Sequence, residues 1–121
     1  MPDLPQPSHG EVWTVVLDPE KGHEQGGARP AVVISNDRFN RAFESLIIVV
    51  QMTRTNRGIP TQIPVDPPEG GLTAPSFIMC EQVRAVSIAG FRGRRGAIRD
   101  ETMMKVEVML PHLIARLPDR R

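Results

Sequence analysis

Three short apolar runs, residues 12–17, 31–34 and 46–50, constrain the fold most, because each is rich in β-branched and aliphatic side chains and bounded by turn-forming residues. They are predicted to be buried strands, the first of them apolar on both faces. Residues 61–65 carry Thr61, Ile63 and Val65 on one face, and Pro64, lacking an amide donor, assigns this strand to a sheet edge. A longer strand is expected over 77–87. Glu81 and Gln82 interrupt its apolar neighbours and, in an unbulged strand, point to opposite faces, so one of them should face a polar cleft or a subunit contact. Residues 36–43 form a helical turn, with Asn36 or Asp37 as cap and Phe39 and Phe43 four residues apart. Asp100 caps a final helix in which Met103, Val106, Leu110, Leu113, Ile114 and Leu117 recur at helical spacing. Pro111 removes one of its hydrogen bonds at a cost of about 3 kcal/mol, so a kink or break is expected near 108–110. Pro67-Pro68-Glu69-Gly70-Gly71 reads as an exposed loop. Five or six short strands and one C-terminal helix imply an α+β arrangement, a small strongly bent sheet or SH3-like barrel.

A chain of 121 residues suits one domain. That domain is expected over 10–121, after a disordered lead-in at 1–9 with neither the basic start nor the apolar stretch of a secretory signal. The longest apolar run, 46–50, falls far short of the roughly 20 residues that span a bilayer. The single cysteine, Cys80, has no internal disulfide partner, argues against a cysteine-ligated metal and fits a reducing cytoplasm; it reads as a small core residue.

The net charge of +1 conceals a segregation of sign. Residues 45–65 contain two arginines and no acid, and 84–99 contain five arginines and no acid. Such stripes attract a phosphate backbone or form a solvated face. Arg92, Arg94, Arg95 and Arg99, flanked by Gly90, Gly93 and Gly96, suit a mobile basic hairpin or loop. Thirteen of the fifteen basic residues are arginine, whose planar donors suit bidentate phosphate contacts.

The stretch Lys21-Gly22-His23-Glu24-Gln25-Gly26-Gly27-Ala28-Arg29-Pro30 sets one arginine at the exit of a glycine-rich loop, immediately before a strand. Pro30 biases Arg29 toward an extended conformation, so its side chain starts from a loop-to-strand junction and is placed to grip phosphate. Together with Gly10-Glu11-Val12-Trp13 before it, Asp18-Pro19-Glu20 leading into it and Val49-Val50-Gln51-Met52-Thr53 after it, this segment resembles the MazF/PemK toxins of bacterial toxin–antitoxin systems. The similarity runs from about Gly10 to the final helix. It implies a barrel-like homodimer that cuts single-stranded RNA and is inhibited by a MazE-like antitoxin. It also implies a catalytic pair, the loop arginine and a threonine after the third core strand. These are Arg29 and Thr53, the latter favoured over Thr55 because Arg57-Gly58-Ile59-Pro60 matches the basic-Gly-x-Pro turn that follows the family threonine. Taken alone, Thr53 is an ordinary strand-end hydroxyl. Gln25, Arg54, Glu81, Gln82 and Arg84 match positions or loops that contact RNA in relatives.

Cleavage without metal requires that the 2′-hydroxyl lose a proton, that the pentavalent phosphate be stabilised and that the 5′-oxygen be protonated. Arginine answers the second need, and in a desolvated site the third. Thr53 can donate to the same phosphate. The products are then a 2′,3′-cyclic phosphate and a 5′-hydroxyl end. For the base, Glu24 stands open as base, orienting partner of Arg29 or solvated loop charge, and His23 lies where relatives commonly carry serine. Trp13 reads as core rather than as a base-stacking platform. No P-loop, dinucleotide fingerprint, zinc pattern or hydrolase elbow is present, so neither cofactor nor metal is expected. Two other readings remain: a CcdB-like gyrase poison, which fits less well because the chain ends Pro118-Asp119-Arg120-Arg121, and a non-catalytic RNA-binding barrel.

Overall fold

The computed structural model describes residues 5–17, 27–43 and 45–117. Six antiparallel strands form one sheet: β1 (Glu11–Val16), β2 (Ala28–Val33), β3 (Leu46–Thr53), β4 (Gln62–Val65), β5 (Ser76–Ser87) and β6 (Phe91–Ala97), ordered β4-β5-β3-β2-β1-β6. Two helices complete it, α1 (Asp37–Ala42) between β2 and β3, and α2 (Asp100–Ile114) after β6. The strands expected from the apolar runs are all present, and β4, with its exposed Pro64, is an edge strand paired with β5 alone.

Side-chain alternation explains why the central strands read as continuous apolar runs. Val12, Val32, Val50 and Met52 point to one face, where they pack with Ile63, Val65, Ile78 and Cys80 against Met103 and Val106 of α2. Val15, Ala31, Val33, Ile47 and Val49 point to the other, where Val86 and Phe91 cover them. Both faces are therefore buried, the condition that removes the polar half of a strand's alternation. Trp13 packs at the margin of the second cluster, edge-on to Phe91 at 5.7 Å, with its indole N–H donating to Glu11.

At the Glu81–Gln82 step the strand is bulged. The register of β3 with β5 shifts between Val50 and Met52, so that Val50 faces Val83 while Met52 faces Ile78. The extra residues of β5 swing clear of the ladder, and both Glu81 and Gln82 are exposed. The helical turn α1 is capped as expected, Asn36 accepting from the Phe39 amide, and Phe39 and Phe43 stack at 4.6 Å.

Four expectations are corrected. Residues 92–99 are not a mobile loop: most of them lie in the edge strand β6, paired with β1 through two register shifts. The second half of the lead-in is anchored, with Pro7 buried, the Ser8 amide donating to Glu11 and the His9 amide to Asp37. Helix α2 runs through Pro111 to Ile114, because this proline lies in the last turn, where the carbonyl left without its amide partner is within reach of water. Of the apolar positions assigned to this helix, Met103 and Val106 are buried and Leu110 is partly buried, whereas Leu113 and Ile114, and Leu117 beyond the helix, are exposed.

The fourth correction concerns the 67–71 segment and the start of α2. Residues Glu69–Gly71 form a single 3-10 turn that packs on β6, and the N-cap of α2 is Arg99 rather than Asp100. Arg99 has no capping side chain of its own, so Glu69 supplies one from across the chain by accepting from the Arg99 amide at 2.9 Å. Burial alone would raise the Glu69 carboxyl, but hydrogen bonds from Thr102 and Arg99 outweigh it and hold the group below its ordinary value of 4.5. Glu69→Gln should therefore cost about 1–2 kcal/mol at neutral pH. A group depressed in the fold contributes fully above its unfolded value, so the difference from the parent protein should shrink as the pH falls below 4.5 and be lost as it passes through the lower folded value. Urea melts at pH 7 and pH 3 check this; an equal deficit at both would contradict it.

Candidate RNA-binding cleft

The strand exits build an open cleft of about 370 Å³, lined by Ala28, Arg29, Pro30, residues 52–55, Leu72, Thr73, Ala74, Ser76 and Arg95. The proline after Arg29 has no amide with which to continue the ladder, and the last assigned pair of β2 with β3 is Ala31 with Gln51. Carried two residues further, that register sets Arg29 opposite Thr53. Both lie where the strands leave the sheet, with main-chain geometry still fixed by β1 behind, since Arg29 is paired with Val15.

Beyond Thr53 the chain folds back on itself. The Thr53 hydroxyl accepts from the Thr55 amide at 3.1 Å. Gln62, buried on β4, accepts from the Arg57 amide and donates to the Thr55 carbonyl, so the loop carrying Arg54 is tied at both ends to the sheet. Its buried carboxamide is thereby satisfied on both sides.

The place of Arg95 in the cleft depends on two glycines. The 3-10 turn crosses β6 so closely that a Cβ on Gly96 would stand 2.7 Å from the Gly70 carbonyl carbon and the Gly71 nitrogen, and one on Gly71 would land on the Arg95 carbonyl. Gly71 also holds φ at +68°, where other residues are strained. Through this contact the connection from β4 to β5 is brought against β6, and Arg95 reaches the cleft from the far edge of the sheet.

Three guanidinium groups and the hydroxyls of Thr53, Thr55, Thr73 and Ser76 thus line the cleft, and among the described residues no carboxylate does. The arrangement suits an anion with several oxygens. Among the described residues no group of three His, Cys, Asp or Glu side chains is placed to hold a metal ion, and no helix is long and apolar enough to cross a membrane.

Of the residues singled out from the sequence, Arg29, Thr53 and Arg54 are brought together here. Arg84, Glu81 and Gln82 are not among the lining residues: Arg84 is exposed on β5, opposite Val49, and its guanidinium donates to the Leu17 carbonyl at 3.4 Å. Glu24 and Gln25 lie outside the described residues. Thr73, Ser76 and Arg95 were missed as individual positions. The charge run pointed to the Arg92–Arg99 stripe, but only the β6 register decides which arginine faces the cleft: Arg95 is the extra residue at the shift between Gly96 opposite Val12 and Arg94 opposite Trp13. Arg94 pairs with Glu11 at 2.7 Å, and Arg99 pairs with Glu69. Trp13, Arg94 and the Ser8 amide surround Glu11; burial works to raise its carboxyl, and these donors hold it below 4.5.

A family model described as the PemK-like, MazF-like toxin of type II toxin-antitoxin systems matches residues 8–114. Among solved structures, MazF (Form-I) from Deinococcus radiodurans superposes with a TM-score of 0.76 at 22% identity over 93% of this chain and 99% of that one. An endoribonuclease from Mycobacterial species gives 0.74 at 23% identity over 97% and 100%. An endoribonuclease in complex with its cognate antitoxin, also from Mycobacterial species, gives 0.72 at 23% identity over 93% and 99%. At these identities the structural likeness establishes the bent six-stranded sheet with its C-terminal helix. With the family model spanning nearly all of β1 to α2, the chain belongs to the PemK-like, MazF-like toxins of type II toxin–antitoxin systems.

Proposed function

We propose that this toxin is a metal-independent endoribonuclease that cuts single-stranded RNA at specific sequences, with Arg29 and Thr53 as its catalytic pair. The observation that carries the reading is the meeting of Arg29 and Thr53 in a cleft lined by three arginines and, among the described residues, no carboxylate. A dianionic pentavalent phosphate needs fixed donors where its charge develops, and a preorganised guanidinium supplies them. The 2′-oxygen attacks phosphorus, the bond to the 5′-oxygen breaks, and the Arg29 guanidinium binds the equatorial oxygens while Thr53 donates to one of them. The proton of the 2′-hydroxyl passes to the Glu24 carboxylate as general base. The 5′-oxygen leaves with a proton from the Arg29 guanidinium once bound RNA has displaced water from the cleft, the products carry a 2′,3′-cyclic phosphate and a 5′-hydroxyl, and DNA has no nucleophile for the step.

Sequence choice falls to groups that touch flanking nucleotides: Gln25, Arg54, Glu81, Gln82 and Arg84. Unpaired bases expose the edges that such side chains read. The chain acts as a homodimer, and a MazE-like antitoxin segment occupies the same groove, in keeping with the similar endoribonuclease solved with its cognate antitoxin.

Incubation of the purified toxin with a long single-stranded RNA in EDTA should give discrete cuts at a shared short sequence. Intact RNA across diverse substrates would contradict the reading and turn attention to gyrase. Thr53→Val should lower kcat by about 10–100-fold with little change in KM, the loss of one hydrogen bond to a charged transition state. An unchanged kcat would remove Thr53 from the pair.

A further inference from the structure

Five arginines lie between residues 84 and 99, and the contacts around them differ sharply. Arg94 is neutralised by Glu11, Arg99 by Glu69, and Arg92 donates to the Ala89 carbonyl. Arg95 lines the cleft and has no carboxylate partner among the described residues. Its Nη1 reaches the Thr14 hydroxyl at 3.4 Å, a long contact, and its Nε is buried with no hydrogen-bond partner. That Nε is closed to solvent, so it is through the outer nitrogens of the guanidinium that Arg95 would meet an anion in the cleft. Its position is fixed by backbone rather than by a flexible loop, because the Gly71–Gly96 crossing holds the main chain at the Arg95 carbonyl and Gly96.

We propose that Arg95 is a second phosphate clamp of the cleft, binding from the edge strand β6 a backbone phosphate of single-stranded RNA whose neighbour is held by Arg29 and Thr53. This rests on the reading of the cleft as an RNA site. Arg29 on β2 and Arg95 on β6, with β1 between them, let the strand be held at two points of its backbone, so that the scissile phosphate is presented to Arg29 by a neighbour that Arg95 grips. Arg95 is accordingly a binding and positioning residue, felt in affinity and KM before kcat. The contact is to phosphate, so its effect is the same for every nucleotide sequence.

The test uses a 2′-deoxy oligonucleotide, which lacks the nucleophile and so binds without being cleaved, carrying the cut sequence where RNA is cut and a mixed sequence where it is not, titrated by fluorescence anisotropy over a range of salt. Arg95→Ala should weaken binding about tenfold at physiological salt, and should lower the slope of log K against log salt by about 0.7, the value for one phosphate contact on a single strand. Arg95→Lys should restore the slope but only part of the affinity, because the charge is kept and the fork is lost. Should Arg95→Ala fold poorly, the Lys variant and Arg95→Gln carry the same comparison. Arg94→Ala, which removes a guanidinium held by Glu11 and not lining the cleft, should leave the slope unchanged. If Arg95→Ala binds with parental affinity and slope while the parent cuts RNA, the assignment of Arg95 is overturned and the nuclease reading stands; weakened binding of an acidic peptide alone would have the same meaning. Loss of binding in Arg95→Ala with a parent that binds but never cuts would support the clamp and overturn the nuclease. A parent that neither binds nor cuts overturns both.

Discussion

Arg29→Ala should abolish RNA cleavage, lowering the single-turnover rate by about a thousandfold or more, while the melting temperature stays within a few degrees of the parent. The size of the effect follows from charge. Removing one neutral donor from an oxyanion site costs about 10²–10³ in rate, and Arg29 offers a charged bidentate donor and the proton for the leaving oxygen. The stability side follows from exposure: Arg29 is an exposed residue on β2, and such substitutions stay within about 0.5 kcal/mol. Arg29→Lys keeps the charge without the fork and should fall between the two. Rates measured at saturating protein, with circular dichroism as the fold check, decide the matter. A folded Arg29→Ala variant that cuts at the parental rate would remove Arg29 from the chemistry.

Gly71→Ala should have the largest effect on stability, a loss of about 4 kcal/mol or more and a fall in melting temperature of roughly 15 °C. Two penalties coincide there. The backbone sits at φ +68°, and the added Cβ would land on the Arg95 carbonyl, a main-chain atom that cannot rotate away. Relief requires parting the β4–β5 connection from β6, which would also move Glu69 off the start of α2 and Arg95 out of the cleft. Gly93→Ala is the control, since nothing lies within 4 Å of a Cβ there; it should stay within about 1 kcal/mol of the parent. Thermal melts of the two variants test the pair, and equal melting temperatures would show that the crossing does not constrain the fold.

The strands were legible because two buried sheet faces leave an unambiguous signal, as in Ala31, Val32 and Val33, whose side chains divide between the two apolar clusters. Asn36 was legible as a cap because its contact is local. What could not be read was long-range. The cap on α2 comes from Glu69, thirty residues before Arg99, and no local pattern announces it. The bulge that exposes both Glu81 and Gln82 depends on how β5 pairs with β3. Pro111 was weighed as an interior proline, whereas its place in the last turn makes it tolerable. In the cleft, Arg29 announced itself through the glycines and proline around it, but Arg95 is one of several arginines in a run, and the register of β6 with β1 is what separates it from Arg94.

The most direct measurement of the central claim is the chemistry of the new RNA ends made in EDTA by the parent protein, alongside a substrate with a single 2′-deoxy nucleotide at the cut position. The account predicts 2′,3′-cyclic phosphate and 5′-hydroxyl ends on the RNA and no cut at the substituted position. Ends bearing a 5′-phosphate, cleavage of the 2′-deoxy position, or activity lost to EDTA and restored by a divalent cation would contradict it.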